Sequence, residues 1–309
     1  MHSTPRLLSI VALVTLLAAP ALARACSVCS CGDPLVAAAD ARGAGGDLRL
    51  ALATEYLTQK AGSEGEPGVQ DVLDQYTLRV TGVYSPVEGL NLVAALPLVR
   101  KTMTMDHGGG VTTPTSRQTG LGDVEIGARY YLLDRVNFGA RRRQGLALSA
   151  GVALPTGQNG ARDANGARID EHGQLGTGAF GPYTGLAYRL EQDDWNVLVA
   201  VSGRYRSENG SGYRFGSALL WTAQAQWSAT PWLAFGLGLD GRNAGRDKDG
   251  GSPVENTGGL VLAATPAAYL NVYGGLWLDL RAQLPFYSRL AGDQSVGPNL
   301  VAGFTLQLL

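Results

Sequence analysis

The sequence has very little cysteine, and none at all after residue 31. Its three cysteines, Cys26, Cys29 and Cys31, are crowded together, so no disulfide framework can staple the rest of the chain. An excess of charge of one sign is also lacking, because 25 Lys and Arg residues face 26 Asp and Glu residues. Nucleic-acid binding needs a basic excess that neutralises phosphates, so this class of function is excluded.

Long hydrophobic runs are absent beyond the first 25 residues. There, Arg6 precedes an apolar run over residues 7–19 and small residues that end in Ala-Arg-Ala. The pattern predicts a secretory signal peptide that is cleaved before Cys26. A membrane anchor is the competing interpretation, but Pro20 breaks the run before the roughly 20 residues that a spanning helix needs. Since no later run is longer, membrane helices are excluded, whereas membrane strands are not.

The rest of the chain has abundant glycine, 43 residues, and an apolar/polar alternation with a period of two. In LWLDLRAQL (276–284), NVLVAVSGRYR (196–206) and DVEIGARYY (123–131), apolar side chains share one face and polar side chains the other. Each segment predicts a strand of about ten residues. Alternation alone fits both a soluble β-sandwich and a membrane barrel.

The connections favour the barrel. Short turns such as SPVEG and SATP alternate with longer loops such as GQNGARDANGARIDEHG. An even strand number with short periplasmic turns and long outer loops is typical of outer-membrane barrels. We therefore predict an all-β fold, a transmembrane antiparallel up-and-down β-barrel of about 12 strands. The predicted strands lie near residues 46–58, 70–85, 90–104, 119–133, 144–156, 174–190, 194–207, 212–228, 232–244, 257–273, 275–288 and 297–309.

Aromatic residues cluster at the two ends of the predicted strands, which also favours a membrane barrel. One group lies near the short turns and a second near the long loops, as the two membrane interfaces select. The first group is Tyr84, Tyr188, Trp195, Trp227, Trp232, Tyr273 and Trp277. The second is Tyr56, Tyr205, Tyr213, Phe215, Phe286 and Tyr287.

Three segments carry a family resemblance: GLGDVEIGARY (120–130), NLVAALPLV (91–99) and GVALPTGQ (151–158). They resemble recurring segments of the outer-membrane transporter family linked to the meta-pathway of phenol degradation, which is grouped loosely with long-chain fatty acid transporters. The likeness covers roughly residues 70–309. Membership would imply an outer-membrane barrel that passes small, often apolar molecules. With only about 20 residues before the first strand, the chain lacks the long N-terminal hatch of the fatty acid transporters.

We predict three segments: a secretory signal peptide (1–25), a cysteine-containing periplasmic segment (26–45) and an outer-membrane β-barrel (46–309). The predicted function is a porin-like channel or passive transporter for a small solute in the bacterial outer membrane. The alternative is a non-conducting barrel that scaffolds a periplasmic redox or metal-handling partner. Outer-membrane lipid, a small-molecule solute and a periplasmic partner of the N-terminal tail are the expected partners.

Charged residues of both signs occupy the polar face of the predicted strands. A charged side chain that faces lipid has a high free-energy cost, so these residues are predicted to line the lumen. Two interpretations stay open: a salt-bridge network that fills the interior, or a polar path that selects the solute. These residues are Arg49, Glu55, Arg79, Asp123, Glu125, Arg129, Arg189, Arg204, Arg206, Asp240, Arg242, Asp279 and Arg281.

The three cysteines would then lie at the periplasmic mouth. One disulfide with a leftover thiol is one interpretation, because the periplasm is oxidising. Clustered thiolates also suit Cu(I) or Zn(II), although no nearby histidine completes a four-ligand site. Acylation of Cys26 is a third alternative. A redox-active or metal-handling gate is the hypothesis that follows from Cys26, Cys29 and Cys31.

An enzyme is the contrasting class, since some outer-membrane barrels are phospholipases. Such an enzyme needs a serine with a histidine base at the membrane surface. His107 and His172 fall in predicted outer loops, and no G-x-S-x-G motif is present. We therefore predict no enzymatic activity.

Overall fold

A computed structural model describes residues 45–62, 69–108, 111–163 and 166–308. The predicted signal peptide and the three cysteines, Cys26, Cys29 and Cys31, lie outside the described residues. Within these ranges, no helix is long and apolar enough to span a bilayer.

The described chain is organised as β-strands, because alternating apolar and polar residues can bury one face and expose the other only as a strand. The strands are β1 (Leu48–Gly62), β2 (Gln70–Val87), β3 (Leu90–Asp106), β4 (Thr112–Leu121), β5 (Glu125–Asn137), β6 (Arg142–Ala153), β7 (Gly181–Gln192), β8 (Trp195–Arg204), β9 (Tyr213–Arg214), β10 (Ala218–Thr230), β11 (Leu233–Ala244), β12 (Lys248–Asp249), β13 (Ser252–Pro253), β14 (Gly259–Tyr273), β15 (Leu276–Leu290) and β16 (Gln294–Gln307).

The main sheet closes on itself. Its strands pair antiparallel in the order β2-β1-β16-β15-β14-β11-β10-β8-β7-β6-β5-β3, and β2 also pairs with β3. β4 and β5 both pair with β3, at residues 98–106 and 90–95 respectively, so they are two parts of one span interrupted at residues 122–124. The barrel therefore has 12 spans, and closure leaves no open edge between its first and last strands. This confirms the predicted all-β, twelve-stranded antiparallel barrel.

Three of the predicted strand assignments need correction. Residues 174–180 are not part of a strand, because β7 begins only at Gly181. β10 begins at Ala218, and β9 just before it belongs to a separate three-stranded sheet with β12 and β13. β4 occupies a region expected to be mostly loop. Alternation over few residues does not distinguish a strand in the wall from an extended loop segment, which explains these errors.

The outward face of the barrel is apolar and exposed. On β8, Val199 and Val201 are exposed, while Leu198 and Ala200, which alternate with them, are buried. Aromatic residues at the short-turn end are also exposed: Tyr84, Trp195, Trp227, Trp232 and Tyr273. A continuous exposed apolar band with an aromatic girdle matches a lipid environment.

Candidate solute path inside the barrel

Strand pleating turns the charged side chains toward the barrel interior. On β1, Arg49 and Glu55 are only 9% and 8% exposed, whereas Leu50 and Leu52 are each 42% exposed. Successive side chains of a strand point to opposite faces, so the exposed leucines place the charges inside. The same parity holds for the other predicted lumen residues that lie on barrel strands.

An ion pair joins two distant parts of the wall. Arg204 at the end of β8 donates to both carboxylate oxygens of Glu125 on β5, at 2.9 and 3.2 Å. The Arg204 guanidinium also lies 4.9 Å from the ring centroid of Tyr183 on β7. Two parallel hydrogen bonds and an aromatic face are the contacts that a buried guanidinium needs. The interaction therefore fills part of the interior with a fixed, neutralised pair.

Two further ion pairs line the same interior. Arg79 on β2 lies 3.6 Å from Glu55 on the neighbouring β1. Asp279 and Arg281, two residues apart on β15, are 3.0 Å apart. Opposite charges therefore face one another within the lumen, as expected where burial makes an isolated charge costly.

Asp240 organises a hydrogen-bonded chain across four strands. Thr265 on β14 and Gln283 on β15 both donate to the Asp240 carboxylate, the second at 2.8 Å. Asn299 on β16 donates to the Gln283 side chain at 2.8 Å. The uncharged members were not among the predicted lumen residues, although the strand alternation already placed Gln283 on the polar face.

The remaining arginines occupy both ends of the interior. Arg189 lies near the short-turn end, 2.8 Å from Glu191. Arg129 is buried beside the Tyr131 ring, at 5.5 Å from its centroid. Arg206 and Arg242 are buried toward the long-loop end, at 8% and 5% exposure.

A long connection folds back into the barrel instead of remaining outside it. This inner loop, residues 154–180, joins β6 to β7, is described over residues 154–163 and 166–180, and is held by a lysine of the wall. Lys101 on β3 donates to the carbonyl oxygens of His172 and Gln174, at 2.8 and 2.7 Å. Gln174 is fully buried and accepts hydrogen bonds from the backbone N–H groups of Gly160 and Ala161.

Asp123 fastens the inner loop to the barrel wall. It lies in the break between β4 and β5, not within a strand. Its carboxylate accepts hydrogen bonds from the Gly157 N–H at 3.1 Å and from the Thr177 N–H and hydroxyl at 2.8 and 2.6 Å. The predicted lumen residue Asp123 thus borders the interior while anchoring the loop that occupies it.

Three side chains connect three loops at the long-loop end. In this latch, defined as His172, Tyr213 and Asp247, the Tyr213 hydroxyl donates to Asp247 at 2.7 Å. The His172 Nε2 atom lies 3.2 Å from the same carboxylate and 3.1 Å from the Tyr213 hydroxyl. The histidine was expected in an outer loop. It does belong to a loop, but its side chain is only 15% exposed.

The latch shifts the proton affinities of both its ionisable partners. Burial lowers the pKa of His172, but the hydrogen bond to Asp247 and the charges of Asp170 and Asp247 more than offset it, so the pKa is raised overall. Lys101 opposes this rise. Burial raises the pKa of Asp247, yet His172 and the N–H and O–H donors around the carboxylate hold it below its ordinary value. The two groups therefore favour an imidazolium–carboxylate pair.

Cavities lie inside the described part of the barrel. The first, about 140 Å³, lies between β1, β2, β8, β10, β11 and β14–β16. The second, about 130 Å³, lies between the wall and the inner loop. They share the lining residues Arg79, Leu220 and Arg242, so these three side chains lie at the boundary between the cavities.

Glycines of the lumen face make room for neighbouring side chains. The Tyr183 hydroxyl lies where a Cβ would stand at Gly127 and Gly151, and it is 3.3 Å from the Ile126 carbonyl oxygen. Asp279 approaches Gly303 in the same way. These glycines therefore allow large inward side chains to pack across the wall.

A family model described as "Putative MetA-pathway of phenol degradation" matches residues 73–290. The chain belongs to this family. The resemblance seen in the sequence segments is thereby confirmed, and the protein is a β-barrel of the bacterial outer membrane.

A solved structure shares the barrel fold, and two others are weaker matches. An outer-membrane channel from Pseudomonas putida F1 matches with a TM-score of 0.64 and 14% identity, over 87% of this chain and 98% of that chain. The translocator domain of the autotransporter NalP from Neisseria meningitidis has a TM-score of 0.45 and 14% identity, over 89% and 92%. The CymD monoaromatic hydrocarbon channel has a TM-score of 0.41 and 10% identity, over 85% and 88%. No curated protein matches the chain significantly.

Several interior residues of the barrel were not predicted from the sequence. Lys101 shares the inward parity of Val99 and Met103 on β3, so alternation could have identified it. His172 lies in a connection without alternation, and Gln174 was assigned to the start of the incorrectly predicted strand 174–190, so neither was predicted to be an interior loop residue. Only the path of the inner loop in the structure shows that these residues lie inside the barrel.

Proposed function

We propose that the barrel is a channel for passive passage of small, weakly polar solutes, and that single-ring aromatic molecules are the solute class. The supporting observation is the first lumen cavity, whose volume of about 140 Å³ suits one aromatic ring. For scale, a cavity of about 150 Å³ in another protein accommodates benzene.

The chemistry of the cavity wall supports the same solute class. Leu57 and Val261 offer apolar contact, while Glu55, Asp240 and Gln283 offer hydrogen-bonding atoms. Ligand sites are generally apolar with a few polar groups that orient the ligand. Phenol, named in the family description, combines one ring with one hydroxyl group.

In this proposal the charged lumen residues are part of the solute path. Their ion pairs neutralise the wall, so that a weakly polar solute meets no isolated charge. Passage between the two cavities is controlled at the boundary formed by Arg79, Leu220 and Arg242. The alternative, a non-conducting scaffold, is consistent with an interior that contains the inner loop.

Conductance in planar bilayers, together with phenol entry into proteoliposomes in excess of entry into protein-free liposomes, tests the proposal. We expect Leu220→Trp to decrease both several-fold, because the larger side chain narrows the boundary between the cavities. The matched control is Leu219→Trp, since the neighbouring side chain points to lipid and is 46% exposed. No conductance and no phenol entry with the native protein would overturn the channel and favour the scaffold.

We also propose that the cysteine tail controls the periplasmic mouth of the barrel. The segment precedes β1, and Leu48 at the start of β1 accepts a hydrogen bond from the Leu308 N–H at 2.9 Å. The tail therefore joins the barrel at the short-turn end.

In the same bilayers, a protein without residues 26–45 should conduct more if the tail is a plug. Bound Cu(I) or Zn(II) that is lost in the Cys26/Cys29/Cys31→Ser variant would establish metal capture, and unchanged transport and metal content would overturn both roles.

A further inference from the structure

Two arginines interrupt the apolar outer wall. Arg100 on β3 and Arg117 on β4 are both exposed. The residues that flank Arg100, Val99 and Lys101, are buried in the interior, so Arg100 points outward. Leu98, two residues nearer the short-turn end of β3 and on the same outward face, is 43% exposed. The positive charge thus lies directly above lipid-facing surface.

The register brings the two arginines together. Arg100 is paired with Thr119, and Arg117 is paired with Thr102. They therefore occupy diagonal positions on one face of two hydrogen-bonded strands, about 7–8 Å apart, which is within reach of long side chains. Two guanidinium groups at this spacing can bind the oxygens of one phosphate.

The pair lies at the outer edge of the lipid-facing band. Arg100 is in register with Tyr76 on β2, and Tyr84 on the same strand marks the short-turn girdle. At about 3.4 Å per residue and a tilt of about 35–45°, Tyr76 and Arg100 lie about 20 Å above Tyr84. Outer-membrane barrels have an apolar band about 25 Å tall with the long loops outside the cell. This height corresponds to the headgroup region of the outer leaflet.

Nearby carboxylates are engaged elsewhere. Asp74 also faces outward, but its carboxylate accepts a hydrogen bond from the Tyr56 hydroxyl at 3.0 Å. Lys60, higher on the wall, pairs with Asp106 at 3.4 Å. Among the described residues, no carboxylate oxygen lies within ion-pair distance of Arg100 or Arg117. Two arginines beside the outward carboxylate of Asp74 leave this surface with a net positive charge.

The opposite side of the barrel differs at the corresponding end of the strands. The outward positions near the long-loop ends of β7, β8, β10 and β11 are uncharged, and Arg289 on β15 is exposed but lies four spans away, so the paired arginines are a local feature of β3 and β4. Examples are Pro182, Tyr205, Leu219 and Leu239.

We propose that Arg100 and Arg117 bind a phosphate group of a phosphorylated glycolipid in the outer leaflet. The guanidinium groups bind the phosphate, and the exposed leucines beneath, Leu98 and Leu121, contact the acyl chains. Thr102 and Thr119, between the arginines on the same face, offer hydroxyl groups to the headgroup. The site lies on the outer wall and is independent of the proposed passage through the lumen.

Native mass spectrometry of the folded barrel in detergent tests the proposal, with diphosphoryl lipid A as the probe. The native protein should retain the lipid, and an Arg100→Gln/Arg117→Gln double variant should bind it at least tenfold more weakly. Dephosphorylated lipid A should bind weakly to both proteins. Inorganic phosphate in excess should compete poorly if the acyl contacts contribute, which distinguishes the lipid from a free anion.

Two controls keep the test specific. Arg289→Gln removes an exposed arginine of β15, distant from the pair, and Arg135→Gln removes one near the short-turn end of β5. Neither change should weaken retention of lipid A. Equal retention by the native protein and the double variant, or equal loss with either control, would overturn the proposal. A heat-denaturation profile of each variant in detergent verifies that the barrel is folded.

Discussion

Single residues of this barrel combine structural and functional roles most clearly in the latch of His172, Tyr213 and Asp247. Each belongs to a different loop, and the hydrogen bonds among them connect these loops above the lumen. Because a histidine and an aspartate share the site, the strength of the connection depends on pH.

The latch should weaken at high pH. The raised pKa of His172 means that its contribution is complete below the unfolded value near 6.5 and is lost as pH rises through the folded value. The lowered pKa of Asp247 means that its contribution is present above its ordinary value near 3.8 and is lost as pH falls through the folded value. We expect the hydrogen-exchange protection factors of the loop amides, which are corrected for the intrinsic base catalysis of exchange, to fall as pH rises above the unfolded His172 value in the native protein.

In His172→Gln that pH-dependent loss of protection should be absent, because the titrating group is gone. Tyr213→Phe is the matched control, since it removes one hydrogen bond but retains the histidine and should keep the pH dependence. Identical profiles for the native protein and His172→Gln would contradict the role of the latch.

Among the structural elements, the inner loop (154–180) has the greatest influence on the lumen. It reaches the interior because β6 and β7 end well before the taller hairpin of β3 and β4, and because Asp123 anchors it in the break between β4 and β5. Hydrogen bonds to a charged group contribute about 1.5–3 kcal/mol each, so one carboxylate can hold the loop in place.

Asp123→Ala should release the inner loop. We expect larger or more variable single-channel conductance and faster proteolysis within residues 154–180, because three hydrogen bonds to the carboxylate are lost. Glu208→Ala, which removes an exposed acid of the neighbouring loop, should leave both unchanged. Unaltered conductance and proteolysis in Asp123→Ala would show that the loop is held by its other contacts.

At the scale of the whole molecule, one closed sheet separates a charged interior from an apolar exterior. β1 pairs with both β2 and β16, so the wall is continuous around the first and last strands. The two faces of a strand are therefore subject to opposite selection, since lipid excludes charge and the lumen accommodates it.

An arginine on the lipid face should be tolerated according to its depth. Leu52→Arg, midway along the outward face of β1, should lower the free energy of unfolding by about 2–4 kcal/mol. Val87→Arg, at the short-turn end of β2, should lower it by only about 0–1 kcal/mol because it lies near the interface. Urea unfolding of the barrel in lipid vesicles measures both. Equal costs would contradict the membrane orientation.

The sequence by itself determined the wall of this barrel. Strand pleating has a period of two, so alternation assigned an inward or outward direction to Arg49, Glu55 and Arg204 without knowledge of their partners. The number of strands and the alternation of short turns with long loops can likewise be read directly along the sequence.

Only the tertiary structure decided which inward side chains meet and what fills the lumen. Glu125 and Arg204 are 79 positions apart in sequence, and their pairing depends on barrel curvature, which local pattern does not encode. The inner loop and the latch depend on contacts between connections that have no periodicity, as at Gln174 and His172. Their positions follow from where the strands end and which loops closure brings together.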